Sequence, residues 1–343
     1  MLLSPSICAF GHSLLWRIPV TILLTLFFTL FADRFLPYSG DGGWIADEII
    51  SGGKIVMHSP LSSLIQTTFY TLLHPWGFTA WQAISVSSAF AGALVIQVFW
   101  QIRKRPLFLL INIGSGSFLV FAGLVENYAW VNLFLVLMFW AAEKFYLGKW
   151  PLWPAMTFFF LAALSHFLAF FYFPALVWLI FQNKKFSPAE FAIPLFVYLA
   201  IHIALNLFIP GEGISFDFSR LVPWFEKTSK LHHFTFFTWD HAYIKFYFHL
   251  KSSFPIWPFW WPEVLPYGVM FIPLEWPLLF LLRKQIDSPF KKCLFLSSLT
   301  GLIWTTLWHP DLGPIDWDLF SQMGIPLHLL LGLLLLDILD SRR

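Results

Sequence analysis

Apolar residues in this chain come in blocks rather than stripes. Predominantly apolar stretches recur near 16–33, 78–100, 107–125, 128–146, 152–166, 167–182, 189–209, 263–282, 293–308 and 319–337. Most approach the ~20 residues that a helix needs to cross a bilayer. Apart from Glu275 in 263–282, their centres hold no acidic or basic residue. Backbone polar groups in lipid must pair within the segment, so each stretch is expected to be helical. The pattern predicts an all-α integral membrane protein with about ten transmembrane helices, forming a single transmembrane domain over 1–343.

Composition agrees with that reading. Of 343 residues, 58% are apolar and 12% charged, against roughly 25% charged in soluble domains. A net charge of +2, with no basic stripe among the aromatics, argues against a nucleic-acid partner. Cys8 and Cys293 lie in or beside apolar segments and suggest neither a disulfide framework nor a thiolate metal site. The run Ile18–Ala32 behind Arg17 reads as an uncleaved first span.

Basic residues set the sidedness, since short cytoplasmic loops are rich in Lys and Arg. The clusters are Arg103-Lys104-Arg105, Lys144 with Lys149, Lys184-Lys185, Arg283-Lys284 with Lys291-Lys292, and Arg342-Arg343. Ten spans with both termini cytoplasmic put every cluster inside, provided Leu61–Trp76 does not cross. With Pro60, Gln66, His74 and Pro75 in or beside it, that segment reads as an interfacial helix. An all-helical chain of this size points to a bacterial inner (plasma) membrane. The outer face then carries a first loop at 33–77, a turn at Glu126-Asn127-Tyr128, a turn at His166, a long loop at 210–262 and a turn at 309–318. Aromatic and proline residues such as Phe254–Pro262 give the long loop the character of a lid at headgroup level.

Three polar groupings on that face could carry chemistry. The first is Ser39-Gly40-Asp41-Gly42-Gly43-Trp44, followed by Asp47, Glu48, Gly52-Gly53 and His58-Ser59-Pro60-Leu61. Glycines permit tight bends and close approach to a ligand, and an Asp held there could act as general base toward a hydroxyl. The same residues also suit an ordinary exposed turn. The second runs from His309 through Asp311 to Asp316 and Asp318. His309, Asp316 and Asp318 offer ligands to a divalent cation such as magnesium or manganese, while Asp318 equally suits an N-cap. The third is Glu126 with Tyr128, a carboxylate at a membrane boundary, where charge is costly unless paired or hydrated. His166, His202 and His328 read as packing histidines, and His232, His233, Asp240 and His241 as loop polarity. Arg34, Lys54, Arg220, Lys227 and Lys230 are outer cations that either hold a lipid phosphate or snorkel to water.

The first 105 residues resemble the GT-C superfamily of membrane glycosyltransferases, which includes protein O-mannosyltransferases and the lipid A aminoarabinose transferase. The likeness rests on the N-in first span, the loop with Gly40-Asp41-Gly42, Gly52-Gly53 and His58-Ser59-Pro60-Leu61, the interfacial helix, and a second span ending in Arg103-Lys104-Arg105. The chain departs from the pattern in having Asp41 alone, with Asp47-Glu48 six residues on, where some subfamilies carry an acidic pair. A large soluble C-terminal domain is also absent from this sequence. The resemblance implies sugar transfer from a polyprenyl-phosphate donor to a hydroxyl of a glycan, lipid or protein acceptor at the outer face of the bilayer. It makes Asp41, or else Asp47 or Glu48, the base. Glu126, Tyr128, Arg34, Asp47, Glu48, His58 and Arg220 would contact substrate. A transporter or flippase of a lipid-linked or small polar substrate is the rival reading, and requires a polar path through the spans.

Overall fold

The computed structural model describes residues 5–35, 42–51, 59–114, 116–121, 123–182, 187–208, 275–307 and 321–341. Among them the chain is all-helical, with no strand. The helices are α1 (Pro5–Phe35), α2 (Gly42–Ile50), α3 (Pro60–Leu73), α4 (Ala80–Ile102), α5 (Pro106–Ile113), α6 (Tyr128–Tyr146), α7 (Trp153–Ser165) and α8 (Phe173–Gln182). They continue as α9 (Pro188–Phe208), α10 (Glu275–Leu281), α11 (Pro289–Leu307) and α12 (Ser321–Ser341).

Two described stretches, Ala80–Ile102 and Gln322–Ser341, are long and apolar enough to cross a membrane, and the apolar stretches Trp16–Ala32, Trp153–Ser165, Phe167–Gln182 and Pro188–Ala204 run to 10–17 residues. The expected span 107–125 is broken into pieces. Helix α5 stops at Ile113, a 3-10 turn follows at Gly116–Phe121, and α6 begins only at Tyr128. Two glycines in the Gly114-Ser115-Gly116-Ser117 run each weaken a helix by about 1 kcal/mol. The 3-10 segment then lies hard against α4, where a Cβ on Gly92 would stand 2.6 Å from the Phe121 carbonyl oxygen. Likewise the stretch 167–182 opens as a 3-10 turn, Phe167–Tyr172, before α8.

Helix α6 forms the axis of the bundle. Leu133, Leu135, Val136, Met138, Phe139 and Ala142 are all buried, and partial exposure is confined to the stripe Phe134, Leu137, Trp140 and Lys144 together with the terminal Tyr146. Helices α4 and α6 run in the same direction. Near their starts Trp130 Nε1 donates to Ser87 Oγ at 2.9 Å, and at their other ends Arg103, just past α4, pairs with Glu143 in the last turn of α6. Across the bundle, the buried Tyr172 hydroxyl donates to the Gln322 carbonyl oxygen of α12 at 2.6 Å.

Helix α1 presents a different surface. Trp16, Leu23, Leu26, Phe27 and Leu30 are all more than half exposed. Its hydroxyls are satisfied internally: Thr21, Thr25 and Thr29 each donate to the carbonyl four residues earlier at 2.8–2.9 Å. A continuous apolar face of this kind, with its polar atoms turned back onto the helix, is suited to lipid.

The ends of the bundle differ in chemistry. At one end Arg103 meets Glu143, Arg105 Nη2 donates to Asp340 at 2.8 Å, and Lys291 Nζ reaches Asp337 at 2.6 Å. Three of the basic clusters in the sequence thus lie together at one end of the helices. The end of α1, the start of α4 and the start of α6 form the opposite end. There Gly123 adopts a φ of +91°, and a Cβ would stand 2.6 Å from Ala32 Cβ and 2.9 Å from Ser85 Oγ. Only glycine turns this corner without strain.

Candidate functional site

The organising element at the second end is α3, whose amphipathicity is inverted. Ser59, Ser62, Ser63 and Gln66 recur at the spacing of a single helical face, and all four are buried. The apolar Leu64 and Leu72 are exposed instead. At fourteen residues the helix is about 21 Å long, too short to cross a bilayer. Pro60 opens it at a position where its missing N–H costs nothing.

The buried polar face holds two turns in place. The Ser62 hydroxyl is shared between the carbonyl oxygens of Asn127 at 2.9 Å and Ser165 at 3.1 Å. One turn further on, Gln66 Nε2 donates to the Glu126 carbonyl oxygen at 2.8 Å. A single helix therefore joins the Gly123–Asn127 turn before α6 to the Ser165–His166 turn after α7. Each of these bonds satisfies a backbone acceptor that the irregular turns leave outside any helix.

The first loop arrives at the same place through α2. Ile45, Ala46 and Ile49 form its buried face and pack on Ala80, Ile84 and Val125, with Tyr70 and Trp81 alongside. Gly42 lies so close to the Val125 carbonyl oxygen that a Cβ there would run into it. Gly43, facing Trp81 at 3.5 Å, has ordinary room. The start of α2 thus abuts the peptide that joins Val125 to Glu126.

Glu126 is 2% exposed. It sits just ahead of the N-terminus of α6, where the helix dipole favours a negative charge. Next to it the Tyr128 and His166 rings approach to 5.2 Å between centroids, and His166 stacks on Phe167 at 5.0 Å. His166 Nδ1 accepts a hydrogen bond from the Leu168 N–H at 3.3 Å, which in the neutral ring puts the proton on Nε2. Ser59 Oγ, Gln66 Oε1, Asn127 Oδ1 and Ser165 Oγ are buried without a hydrogen-bond partner among the described residues. The site combines a carboxylate, an imidazole, a phenol and several spare hydroxyl and amide groups, a set suited to binding a polyhydroxylated ligand.

Of the residues singled out in the sequence, Glu126 and Tyr128 are in this cluster and buried. Asp47 is exposed, on the side of α2 away from its packed face, and Glu48 is partly buried. Arg34 belongs to the last turn of α1. Asp41, His58, Arg220, His309, Asp316 and Asp318 lie outside the described residues, as do the segments 210–262 and 309–318. The described residues contain no group of three or more potential metal ligands. Ser62, Ser165 and the buried role of Gln66 were not anticipated from sequence. The stripe Ser59, Ser62, Ser63, Gln66 on an otherwise apolar helix was the available signal.

Comparison with known proteins yields no matching family, no matching curated protein and no matching solved structure.

Proposed function

We propose that this chain is an integral membrane glycosyltransferase that moves a sugar from a polyprenyl-phosphate donor to an acceptor hydroxyl. The observation that carries the reading is the burial of Glu126 among Gln66, Tyr128 and His166, at the bundle end opposite the basic clusters. A carboxylate buried at the mouth of apolar helices is costly and marks a functional site by default. The basic end corresponds to the cytoplasmic side under the positive-inside rule, which puts Glu126 on the outer side. Spare polar atoms around it suit the hydroxyls of a sugar, and the first-loop resemblance points to the same chemistry. The exposed apolar face of α1 supports membrane insertion.

In this reading the acceptor oxygen attacks the anomeric carbon while the bond from that carbon to the phosphate oxygen breaks. The acceptor proton passes to the Asp41 carboxylate, and polyprenyl phosphate leaves with the bond's electron pair. Asp47, exposed on α2, and Glu48, partly buried there, are the alternative bases. Arg34 or a divalent cation on Asp316, Asp318 and His309 would offset the charge developing on the phosphate. Glu126 would hold sugar hydroxyls.

Purified chain reconstituted with radiolabelled lipid-linked sugar and candidate acceptors tests the proposal. Label should move from lipid to acceptor, and Asp41→Asn and Glu126→Gln should each lower the rate at unchanged folding. Label carried across sealed vesicles with the sugar-phosphate bond intact would instead identify a transporter.

A further inference from the structure

The basic end of the bundle contains a cavity of about 430 Å³ between the final turns of α4 and α6, the start of α11 and one side chain of α12. Ile102, Phe290 and Leu333 supply buried apolar lining. Arg103, Lys144, Lys149 and Lys291 contribute four cations, against Glu143 as the one lining carboxylate.

The partners of these charges are unequal. Lys291 Nζ donates to Asp287 at 2.7 Å and Asp337 at 2.6 Å. Arg103 donates from Nη2 to Glu143 Oε1 and from Nη1 to the Ile102 carbonyl oxygen at 2.7 Å. Lys144 and Lys149 have no carboxylate partner among the described residues. A tight turn sets them on the same rim, with the Lys149 N–H donating to the Lys144 carbonyl oxygen at 2.9 Å and Gly148 at a φ of +67°. The second oxygen of Glu143 is buried without a hydrogen-bond partner among the described residues, on a side chain 5% exposed. Ser288 caps α11, its Oγ accepting from the Lys291 N–H at 3.2 Å, and lines the cavity, so the positive end of that helix also faces it.

The pocket therefore presents two ammonium groups to an anion, one buried carboxylate oxygen to a donor, and an apolar floor to hydrocarbon. One chemical group answers all three: a phosphodiester with an N–H or O–H donor beyond it and a glycerol backbone behind it. We propose that this cavity holds a phospholipid headgroup. Lys144 and Lys149 take the phosphate, and Glu143 Oε2 accepts from an ethanolamine ammonium or a glycerol hydroxyl. Phosphatidylcholine offers the phosphate but no such donor. The inference rests on the membrane reading and not on sugar transfer.

The test uses the full chain in nanodiscs of phosphatidylcholine alone or doped with phosphatidylethanolamine or phosphatidylglycerol, with retained lipid counted by native mass spectrometry. Donor-bearing lipid should be retained about tenfold over phosphatidylcholine, the worth of one charge-assisted hydrogen bond. The preference for one doped lipid over the other names the source of the donor. Lys144→Ala with Lys149→Ala, both on the rim, should abolish retention. Glu143→Gln should erase the preference while phosphate binding persists, and Lys149→Ala alone provides a check free of the Arg103 ion pair. Equal retention of the three lipids, or retention unchanged in the double variant, would overturn the proposal. So would thermal stabilisation by inorganic phosphate without any lipid preference, which assigns the site to a soluble anion. Release of the chain from membranes by alkaline carbonate identifies failure of the membrane reading itself.

Discussion

Gln66 and Glu126, sixty residues apart in sequence, are joined by a 2.8 Å hydrogen bond from the Gln66 side-chain amide to the Glu126 main-chain carbonyl oxygen. Both residues are buried. The bond fixes the turn that carries the Glu126 carboxylate without engaging the carboxylate itself. Gln66→Ala leaves a buried carbonyl without this donor, which should cost about 1–3 kcal/mol. Thermal unfolding in detergent is expected to show the loss, and the proposed sugar transfer should fall with it. Unchanged melting and unchanged transfer in Gln66→Ala would remove α3 from its positioning role.

Two adjacent glycines give a sharper comparison. A Cβ on Gly42 meets the Val125 carbonyl oxygen, a backbone atom that cannot rotate away, whereas a Cβ on Gly43 finds Trp81 at ordinary contact distance. Gly42→Ala should push α2 off the turn and severely lower the sugar transfer proposed above. Gly43→Ala should leave transfer within about twofold, because α2 keeps its seat and alanine favours a helix. The two rates measured side by side decide the matter; equal rates would mean that α2 and the Glu126 turn are not coupled.

Gly92 provides a test of the fold away from the site. Its Cβ would stand 2.6 Å from the Phe121 carbonyl oxygen and 2.7 Å from Phe121 Cβ. Phe121 is 2% exposed and packed against Phe118. Overpacking of this kind typically costs about 1–3 kcal/mol, so Gly92→Ala should melt measurably lower than the parent chain. An equal melting temperature would show that the 3-10 segment at Gly116–Phe121 shifts freely.

Much of the helical layout is legible in the chain because apolar blocks dictate it. Helices α6 and α7 start and stop within a residue or two of the boundaries read from sequence. The break in 107–125 was not legible, since its apolar residues run on across Gly114 and Gly116 and hydropathy does not register the loss of helix propensity there. At the site, Glu126 stood out because a lone carboxylate in an apolar chain is conspicuous. Ser62 and Ser165 did not, because serine is common in apolar helices and only the shared hydrogen bond reveals their role. Glu143 was missed for another reason: its partner Arg103 is forty residues away, and nothing local indicates the pairing.

The Asp287–Lys291 pair at the start of α11 should depend on pH at both extremes. The hydrogen bond from Lys291 holds the Asp287 carboxyl below its ordinary 3.8, so the stability it brings is complete above that value and fades as pH falls through the lowered one. For Lys291, burial pushes the ammonium down, but hydrogen bonds and charge from Asp287 and Asp337 outweigh it and hold the group above its ordinary 10.5. That contribution is complete below 10.5 and fades as pH rises through the raised value. The Asp287–Lys291 pair is therefore intact near neutrality and opens in strong acid and strong alkali, and the Lys291–Asp337 pair to α12 weakens in strong alkali with it. Asp287 and Asp337 are both well exposed, so solvent screening keeps the effect modest. Lys291→Met should melt below the parent at pH 7, and the gap should narrow as pH is raised past 10.5. Melting temperatures of both proteins across pH 7 to 11.5 measure it, and a gap that stays constant over that range would mean the ion pairs contribute nothing.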